Sequence, residues 1–376
     1  MTYIVLTWLL APVWWPVSYL RRLITGAPRR IVIFEIAGIG DVICSAHLFD
    51  QLRRQYPNAT IDLVVDPIAA TLAPALPMIN LVQPFPYAHQ RGLKGRLRLI
   101  KRCMSYDAGL CLIPSAAQLT SFCLAMMPWR LSVLPLPLNT SYRMLSPLMT
   151  DTAFHQPGDY FPATQMQLVK RLGVTNTSST KKLSAFAARN TGLADVNSLP
   201  FKQLGILVGS GRPLKRIDQH KMLELVIGLT RLSPDIHVAL IGGPTDKAAA
   251  DKIVNALDPE IQDRIQNLAG CATLSELPET LLKLSVLIGV DSGVTHMADA
   301  LGVPVVCIAG PVDLDEVYEP GEKRCLLTSG LPCYPCSRVF DTPASCYLGH
   351  RNCLHQLDVS DVLTGVKQLL ESGHHA

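Results

Sequence analysis

Three short stretches of this sequence combine glycine with side chains that can bind or activate a charged substrate. The strongest follows an apolar run, Leu287–Val290, and reads Asp291-Ser292-Gly293-Val-Thr-His296. A helical apolar pattern begins directly afterwards, which predicts a buried strand, a glycine turn and a helix. Backbone N–H groups and the positive helix terminus then converge on one point, and this favours an anion. His296, on the first helical turn, either donates to a phosphate or is simply packed there.

The second stretch is a basic loop that follows the apolar run 204–208. It reads Gly209-Ser210-Gly211 and continues to Lys215 and Arg216. The phosphate-loop spacing of glycines and lysine is absent, so this is not a P-loop. A solvated basic loop is the alternative, but glycines at a strand end favour anion binding. Lys215 can then offset the charge that builds on a departing diphosphate.

The third stretch is Gly38-Ile39-Gly40-Asp41, which follows the short apolar strand predicted at 31–36. A helix is predicted to run on from Val42 to Tyr56. Asp41 near its start is either a helix cap or a general base that takes the proton of an attacking hydroxyl. The residues alone leave both roles open.

Four cysteines near the C-terminus have a metal-like spacing, C-x2-C-x9-C-x6-C: Cys333, Cys336, Cys346 and Cys353. A structural zinc site, reduced packing cysteines and a disulfide all remain open, because the spacing is irregular for common zinc ribbons. In each case the cluster is predicted to have a structural role and to lie outside the catalytic centre. The lack of a cleavable signal favours a reducing, cytosolic location.

Composition excludes some classes of protein. The 376 residues are long enough for two domains, and a hydrophobic fraction of 48% excludes a disordered chain. A net charge of +4 is too weak to indicate nucleic acid, so no nucleic-acid partner is predicted. The densest basic stretch, 91–102, is either a solvated helix face or a contact for an acidic acceptor or an anionic membrane.

The N-terminus is unusual because residues 3–20 carry no charge and contain three tryptophans, with Arg21 and Arg22 directly after. The segment is just long enough to span a bilayer, but Pro12 and Pro16 are predicted to break the helix twice. Tryptophans and flanking arginines favour a segment that lies in the membrane interface. An apolar helix packed on the protein itself is the alternative.

Repeated strand, glycine loop and helix patterns predict two βαβ domains with parallel sheets. Residues 128–160 are rich in Pro, Leu and Ser with little periodicity, so irregular acceptor-side loops are expected there. The predicted organisation is an apolar membrane-associating segment at 1–28, an N-terminal domain at 29–190, a C-terminal domain at 200–356, and a closing helix and tail at 357–376.

Together these motifs resemble glycosyltransferase family 9, the bacterial heptosyltransferases of lipopolysaccharide core synthesis and their relatives. The resemblance covers about residues 30–366. It rests on the following stretches: Gly-x-Gly-Asp41, Gly-Ser-Gly-Arg-Pro-x-Lys215, Gly-Gly-Pro244, Asn267-Leu-x-Gly270, Asp-Ser-Gly-Val-x-His296, Ala-x-Ala-x-Gly-x-Pro304, Gly-Pro311 and the cysteine-rich tail.

The resemblance implies an α/β fold of the GT-B type: two facing Rossmann-like domains, with the acceptor on the first and the nucleotide sugar on the second. It also implies that catalysis needs no metal or other cofactor. Asp41 is the implied general base, and Lys215 assists the leaving group. The residues implied to bind the donor are Ser210, Gly211, Asp246 at the ribose, Asp291, Ser292, Gly293 and His296.

The implied reaction is inverting transfer of a sugar from a nucleotide diphosphate to a lipid-linked or lipopolysaccharide acceptor, with heptose and therefore ADP-heptose as the family default. The implied location is the cytoplasmic face of the inner membrane, held peripherally or by the N-terminus. An inactive nucleotide-sugar-binding or regulatory protein of the same fold is the alternative. A dinucleotide oxidoreductase is disfavoured because Gly-x-Gly-x-x-Gly is absent.

Overall fold

The computed structural model describes residues 2–84, 98, 100–113, 119–175, 178, 180, 183 and 201–372. It divides the chain into two compact units, Met1–Lys181 and Lys182–Ala376. The domain boundary predicted at 190–200, most of the basic stretch 91–102 and the last four residues of the tail lie outside the described residues. Each unit is built around its own parallel sheet.

The first unit contains a six-stranded parallel sheet with the order β3-β2-β1-β4-β5-β6. Its central strand β1 is buried over nearly its whole length, as expected for a strand covered on both faces. The elements of this unit in chain order are α1 (Thr2–Thr25), β1 (Arg30–Glu35), α2 (Ile39–Cys44), α3 (Ala46–Gln55), β2 (Thr60–Val65), β3 (Leu81–Pro84), β4 (Ala108–Cys111), α4 (Leu119–Ala125), β5 (Trp129–Pro135), α5 (Thr140–Leu145), β6 (Asp151–His155) and α6 (Phe161–Lys170).

The prediction that residues 128–160 form irregular loops is wrong. Two strands of the sheet, β5 and β6, lie in this segment and pair with each other in register from Leu131–Asp151 to Pro135–His155. Both strands end next to short polar or proline-rich turns, which dilute the apolar periodicity when the segment is read as one block. The five central residues of β5 are buried, so tertiary burial rather than local pattern decides their conformation.

The prediction that proline breaks the N-terminal helix is also wrong. α1 runs unbroken from Thr2 to Thr25 with Pro12 and Pro16 inside it. Both prolines lie on the exposed side of the helix. Contacts of the opposite face with the first unit hold the helix on either side of them, among them the Trp14 indole N–H to the Met126 carbonyl at 2.8 Å.

The second unit repeats the topology with the order β12-β11-β10-β7-β8-β9, again all parallel. The elements in chain order are β7 (Lys202–Leu207), α7 (Gln219–Thr230), β8 (Ile236–Ile241), α8 (Lys247–Asn255), α9 (Pro259–Gln262), β9 (Ile265–Asn267), α10 (Leu277–Leu281), β10 (Val286–Val290), α11 (Gly293–Ala300), β11 (Val305–Ile308), β12 (Arg324–Leu327), α12 (Asn352–His355) and α13 (Val359–Ser372).

The closing helix α13 packs into the core of the second unit rather than forming a separate segment. Its apolar face buries Val359, Val362, Val366 and Leu369 against the sheet. Gly365 lies so close to Cys325 that a Cβ there would stand 2.4 Å from the sulfur. The helix is therefore required to close one edge of this core.

Both sheets share one strand order, which is 3-2-1-4-5-6 when each unit is numbered from its own first strand. In such sheets the second and third strands lie on one side of the first strand, and the fourth strand lies on its other side. A crevice therefore opens at the carboxyl ends beside the first strand. In the first unit this point is the end of β1, and in the second it is the end of β7 next to β10. All three predicted motifs lie at these strand ends.

Candidate active site

The Asp-Ser-Gly turn joins β10 to α11 as predicted. Ser292 is the N-cap residue of α11, and its hydroxyl accepts the Thr295 amide at 3.3 Å. The Thr295 hydroxyl donates back to the Val290 carbonyl at 2.7 Å, which ties the first helical turn to the end of the strand. The turn is therefore rigid, and it presents the start of an eight-residue helix at the switch point.

Asp291 is the centre of this site. One carboxylate oxygen forms an ion pair with the Lys215 ammonium, and the other accepts from His296 Nε2 at 2.9 Å. Burial alone would raise the pKa of Asp291, but the His296 hydrogen bond and the Lys215 charge outweigh it and hold the pKa well below its usual value. Asp291 therefore stays ionised, and it holds both Lys215 and His296 in place.

Tyr318 supports His296 from the side, and sequence reasoning did not identify it. The two rings stack with centroids 4.7 Å apart and an interplanar angle of 19°. Tyr318 is 2% exposed. Because the Asp291 carboxylate can only accept, His296 carries its proton on Nε2, and the stacked ring fixes the orientation of the imidazole. The only sequence signal for Tyr318 is an aromatic residue in the segment after the next strand end.

The basic loop after β7 brings Lys215 to Asp291. Lys215 ends a 3₁₀ turn at Pro213–Lys215, and it is only 15% exposed. Behind it, the Arg216 guanidinium donates to the Ser210 carbonyl at 3.1 Å, and the Ser210 hydroxyl accepts the Arg212 amide at 3.3 Å. The loop is thus folded on itself, and its lysine points at the Asp-Ser-Gly turn.

Gly211 lies at the open side of this loop. A Cβ at Gly211 would meet no atom within 4 Å, so its backbone is accessible to a ligand. Gly209 is the opposite case, because a Cβ there would stand 2.2 Å from the Asp246 carboxylate. Asp246 also accepts the Gly243 amide at 2.9 Å and lies 4.0 Å from the Arg216 guanidinium. The absence of a side chain at Gly209 therefore lets Asp246 approach the loop.

The second unit therefore brings the predicted donor-binding residues together at the carboxyl ends of β7, β8 and β10. They combine a lysine, backbone N–H groups at a helix start, a histidine and a second carboxylate. Positive charge and N–H donors suit a diphosphate, while a carboxylate beside them suits sugar hydroxyl groups. This arrangement can bind a nucleotide diphosphate and neutralise the charge of its leaving phosphate.

In the first unit Asp41 is the third residue of α2, and its side chain accepts the Gly38 amide at 2.7 Å. The structure thus shows the capping contact that the sequence left open as one alternative. A capping carboxylate keeps further lone pairs, so the contact is compatible with a role as a base. Asp41 lies at the carboxyl end of β1, the switch point of the first sheet.

A second carboxyl group lies close by, and it was not identified from the sequence. Glu35, the last residue of β1, is fully buried. The Ser45 hydroxyl lies 3.3 Å from it, and the Gln165 amide donates to that hydroxyl at 2.8 Å. Burial, with the Asp41 charge, raises the pKa of Glu35 well above its usual value. Burial therefore favours the neutral form of Glu35, next to an ionisable aspartate.

The sequence leaves the four-cysteine cluster open as a zinc site, as reduced packing cysteines or as a disulfide. Among the residues that the structure describes, no group of three or more His, Cys, Asp or Glu side chains is arranged to hold a metal ion. The thiols still lie near one another, because burial and the neighbouring Cys333 and Cys346 raise the pKa of Cys336. Structural zinc stays a prediction, and metal analysis of the purified protein tests it.

Comparison with known proteins identifies the family. A model of glycosyltransferase family 9 (heptosyltransferase) matches residues 154–344, which is 191 of the 376 residues. The lipopolysaccharide heptosyltransferase 2 of Salmonella typhimurium is 26% identical over 304 residues, covering 76% of this chain and 84% of that protein.

Solved structures agree on the fold. The ADP-heptose lipopolysaccharide heptosyltransferase II of E. coli aligns with a TM-score of 0.65 at 19% identity, over 92% of this chain and 99% of that one. The E. coli heptosyltransferase WaaC with ADP aligns with a TM-score of 0.68 at 16% identity, over 90% of this chain and 99% of that one.

The fold and the site together define a glycosyltransferase with the α/β fold of the GT-B type, which confirms the predicted fold class. More particularly, the chain belongs to glycosyltransferase family 9. The matched stretch contains every predicted donor-binding residue, whereas Asp41 and α1 precede it.

Proposed function

We propose that this protein transfers a heptosyl group from ADP-heptose to a lipopolysaccharide-core or related envelope glycan. The observation that carries the proposal is the Lys215–Asp291–His296 cluster at the switch point of the second sheet, inside the stretch matched by the family model. Relatives named as heptosyltransferases, and a neighbouring structure described with ADP, support the choice of sugar and nucleotide.

The donor's diphosphate lies against the start of α11 and the basic loop. Backbone N–H groups at Gly293 and Gly211 donate to phosphate oxygens, as does Ser210 or Ser292. Lys215 balances the negative charge that develops on the leaving diphosphate. Asp246 accepts hydrogen bonds from the ribose. Asp291 takes no part in the bond changes. Instead it holds Lys215 and His296 in position to contact the phosphates or the sugar.

The transfer is a single displacement. The acceptor hydroxyl oxygen attacks the anomeric carbon as the bond from that carbon to the phosphate oxygen breaks. Asp41 takes the hydroxyl proton, and ADP leaves with the bonding electron pair. One base and one displacement invert the anomeric configuration, and no metal or cofactor supplies a step.

The test uses the purified full chain with ADP-heptose, a heptose-deficient lipopolysaccharide acceptor and detection of released ADP. Asp41→Asn should lower turnover by about 10²- to 10⁴-fold, the range for loss of a general base, with unchanged ADP affinity. Asp66→Asn is the matched control, because Asp66 also accepts a nearby backbone amide, that of Ile68 at 2.9 Å.

Other outcomes contradict the proposal in distinct ways. Full activity of Asp41→Asn would refute the base assignment but not the donor site. Wild-type protein that binds ADP-heptose and transfers to no envelope acceptor would instead favour the alternative, a nucleotide-sugar-binding or regulatory protein. A nuclear magnetic resonance spectrum of the product gives the anomeric configuration and tests inversion.

A further inference from the structure

We propose that α1 is a docking helix that lies flat on the surface of an anionic lipid bilayer. None of the helices that the structure describes is long and apolar enough to cross a membrane. The proposal goes beyond the transferase activity, since it concerns a surface of the first unit, whereas the phosphate-binding loops belong to the second.

The polarity of α1 is inverted relative to that of a water-facing helix. Its polar side chains are turned towards the protein: Thr7 and Ser18 are buried, and Arg21 and Arg22 are half-buried. Every exposed residue between positions 5 and 24 is apolar or aromatic, and these are Val5, Leu6, Trp8, Leu9, Leu10, Pro12, Val13, Pro16, Val17, Tyr19, Leu20, Leu23 and Ile24.

The helix α13 of the same chain shows the ordinary arrangement. It buries a valine and leucine stripe and exposes Asp361, Lys367 and Glu371. On α1 the outward stripe instead includes Leu9 at 70%, Val13 at 75% and Ile24 at 84% exposure. From Val5 to Ile24 this stripe runs for roughly 30 Å, a length that water-facing surfaces of monomers rarely leave apolar.

The inward face of α1 is fixed to the protein by specific polar contacts, so the helix cannot rotate to hide its apolar stripe. The Trp14 indole donates to the Met126 carbonyl at 2.8 Å, and Trp8, although 39% exposed, donates its indole N–H to the Met144 carbonyl at 3.1 Å. Arg21 pairs with Asp107 at 3.2 Å. Rotation would break all three contacts and take the guanidinium partner away from Asp107. The orientation is therefore built into the fold.

Charge at one end of the helix selects an anionic lipid surface rather than a neutral one. Arg29 and Arg30 are exposed just beyond the C-terminal end of α1, and the exposed Arg102 hydrogen-bonds with the Tyr106 side chain. Arg30 lies over the Tyr106 ring at 5.1 Å, and Arg21 reaches the Tyr106 carbonyl, so these cations surround one residue next to the helix. Lipid phosphates attract such a cluster, while a second copy of this chain would bring the same positive charge against it.

The two prolines are consistent with a shallow position. Proline has no N–H, so the carbonyl groups of Trp8 and Pro12 lack a helical donor four residues on. In the hydrocarbon core such a carbonyl is costly, whereas water and headgroups can serve it in the interface. The structure thus points to burial of the apolar stripe at headgroup depth.

The experiment is flotation of the full-length protein with vesicles of phosphatidylethanolamine and phosphatidylglycerol, and separately of phosphatidylcholine. Wild-type protein should float with the anionic vesicles, and the double variant Val13→Glu/Leu20→Glu should bind them on the order of tenfold or more weakly, through lost apolar burial. Both side chains are exposed, so the fold is retained. Ile68→Glu is the matched control, because Ile68 is 66% exposed on the same unit.

Three results would overturn the proposal. Wild-type protein that stays with the soluble fraction removes the lipid surface as the partner. Equal flotation of the double variant and the wild type would show that α1 is not the binding face. A wild-type oligomer that Val13→Glu/Leu20→Glu converts to a monomer would assign the stripe to a second copy of the chain. Because vesicle binding needs no sugar donor, failure here leaves the transferase proposal standing, and the reverse also holds.

Discussion

The two units have the same strand order, but the segment after the first strand carries an acidic side chain in one unit and basic side chains in the other. After the first strand of the first unit the chain carries Asp41 in a glycine turn, and this loop contains no cation. After the first strand of the second unit the loop carries Arg212, Lys215 and Arg216. The fold therefore decides where a site forms, and the loop composition decides whether that site binds protons or phosphates.

The comparison is sharper for two buried carboxyl groups at these strand ends. Glu35 is fully buried with the Ser45 hydroxyl as its side-chain partner, and its pKa is raised by burial and by Asp41. Asp291 is also buried, yet a histidine and a lysine reverse the effect of burial and lower its pKa. The same desolvation thus raises the pKa of the carboxyl group in one unit, whereas in the other unit the pKa is lowered, because only the second supplies a lysine and a histidine as partners.

The largest expected effect on stability follows from removal of the Asp291 carboxylate. Asp291→Ala should destabilise the protein by about 3 kcal/mol at pH 7, since Lys215 and His296 lose their buried partner. Asp41→Ala removes a helix-start contact and should cost about 1 kcal/mol or less. Urea unfolding of both variants measures the difference. Because the folded-state pKa of Asp291 is lowered, its contribution is complete above about pH 4 and shrinks as the pH falls below that value.

Equal losses in the two variants, or a loss at Asp291 that does not shrink in acid, would contradict this contrast between the two strand ends.

The next effect on stability concerns Glu35. Glu35→Gln should stabilise the protein at neutral pH and leave it nearly unchanged in acid. A raised folded-state pKa gives stability that is complete below the unfolded value of about 4.3 and is lost as the pH rises towards the folded value. The amide has no such loss, and it can keep the contact with Ser45. Denaturation of both proteins across pH 4 to 8 checks the sign.

Glu224→Gln serves as a control, because Glu224 lies on the surface at 53% side-chain exposure. A variant Glu35→Gln that is less stable than wild type at every pH would show that Glu35 is charged in the folded protein.

The smallest effect distinguishes two glycines of one loop. Gly209→Ala forces a methyl group into the Asp246 carboxylate and should cost about 2 kcal/mol through local displacement. Gly211→Ala meets no neighbouring atom and should leave stability within about 0.5 kcal/mol of wild type. Thermal shift with ADP measures binding to both. Weakened ADP binding in Gly211→Ala at unchanged stability would confirm close approach of the phosphates to this backbone, and unchanged binding would contradict it.

Much of the fold could be predicted from apolar runs that end in glycine. The strands at 30–35, 202–207 and 286–290 lie within one or two residues of the predicted positions, because strands buried on both faces give continuous apolar sequence. The short strands β3, β9 and β12 were missed. They lie towards the sheet edges and are only partly buried, so their sequences carry little apolar signal.

The residues that form the donor site could be predicted from the sequence, but the contacts among them could not. Asp291, Lys215 and His296 were each identified from local pattern, whereas their mutual contacts join positions 76 and 5 residues apart. Glu35 gave no local signal and Tyr318 gave only that of an aromatic residue, because their roles depend on burial and on neighbours from other elements. The position of proline was misleading in α1, since long-range contacts of the opposite face hold that helix together.

The contacts of α1 also set an order of events during synthesis. Trp14 docks on a carbonyl 112 residues later in the chain, and Arg21 docks on an aspartate 86 residues later. At ordinary rates of translation these partners leave the ribosome on the order of ten seconds after the helix. For that time the apolar stripe has no domain behind it. If α1 binds lipid as proposed, a bilayer meets this helix before either sheet can fold.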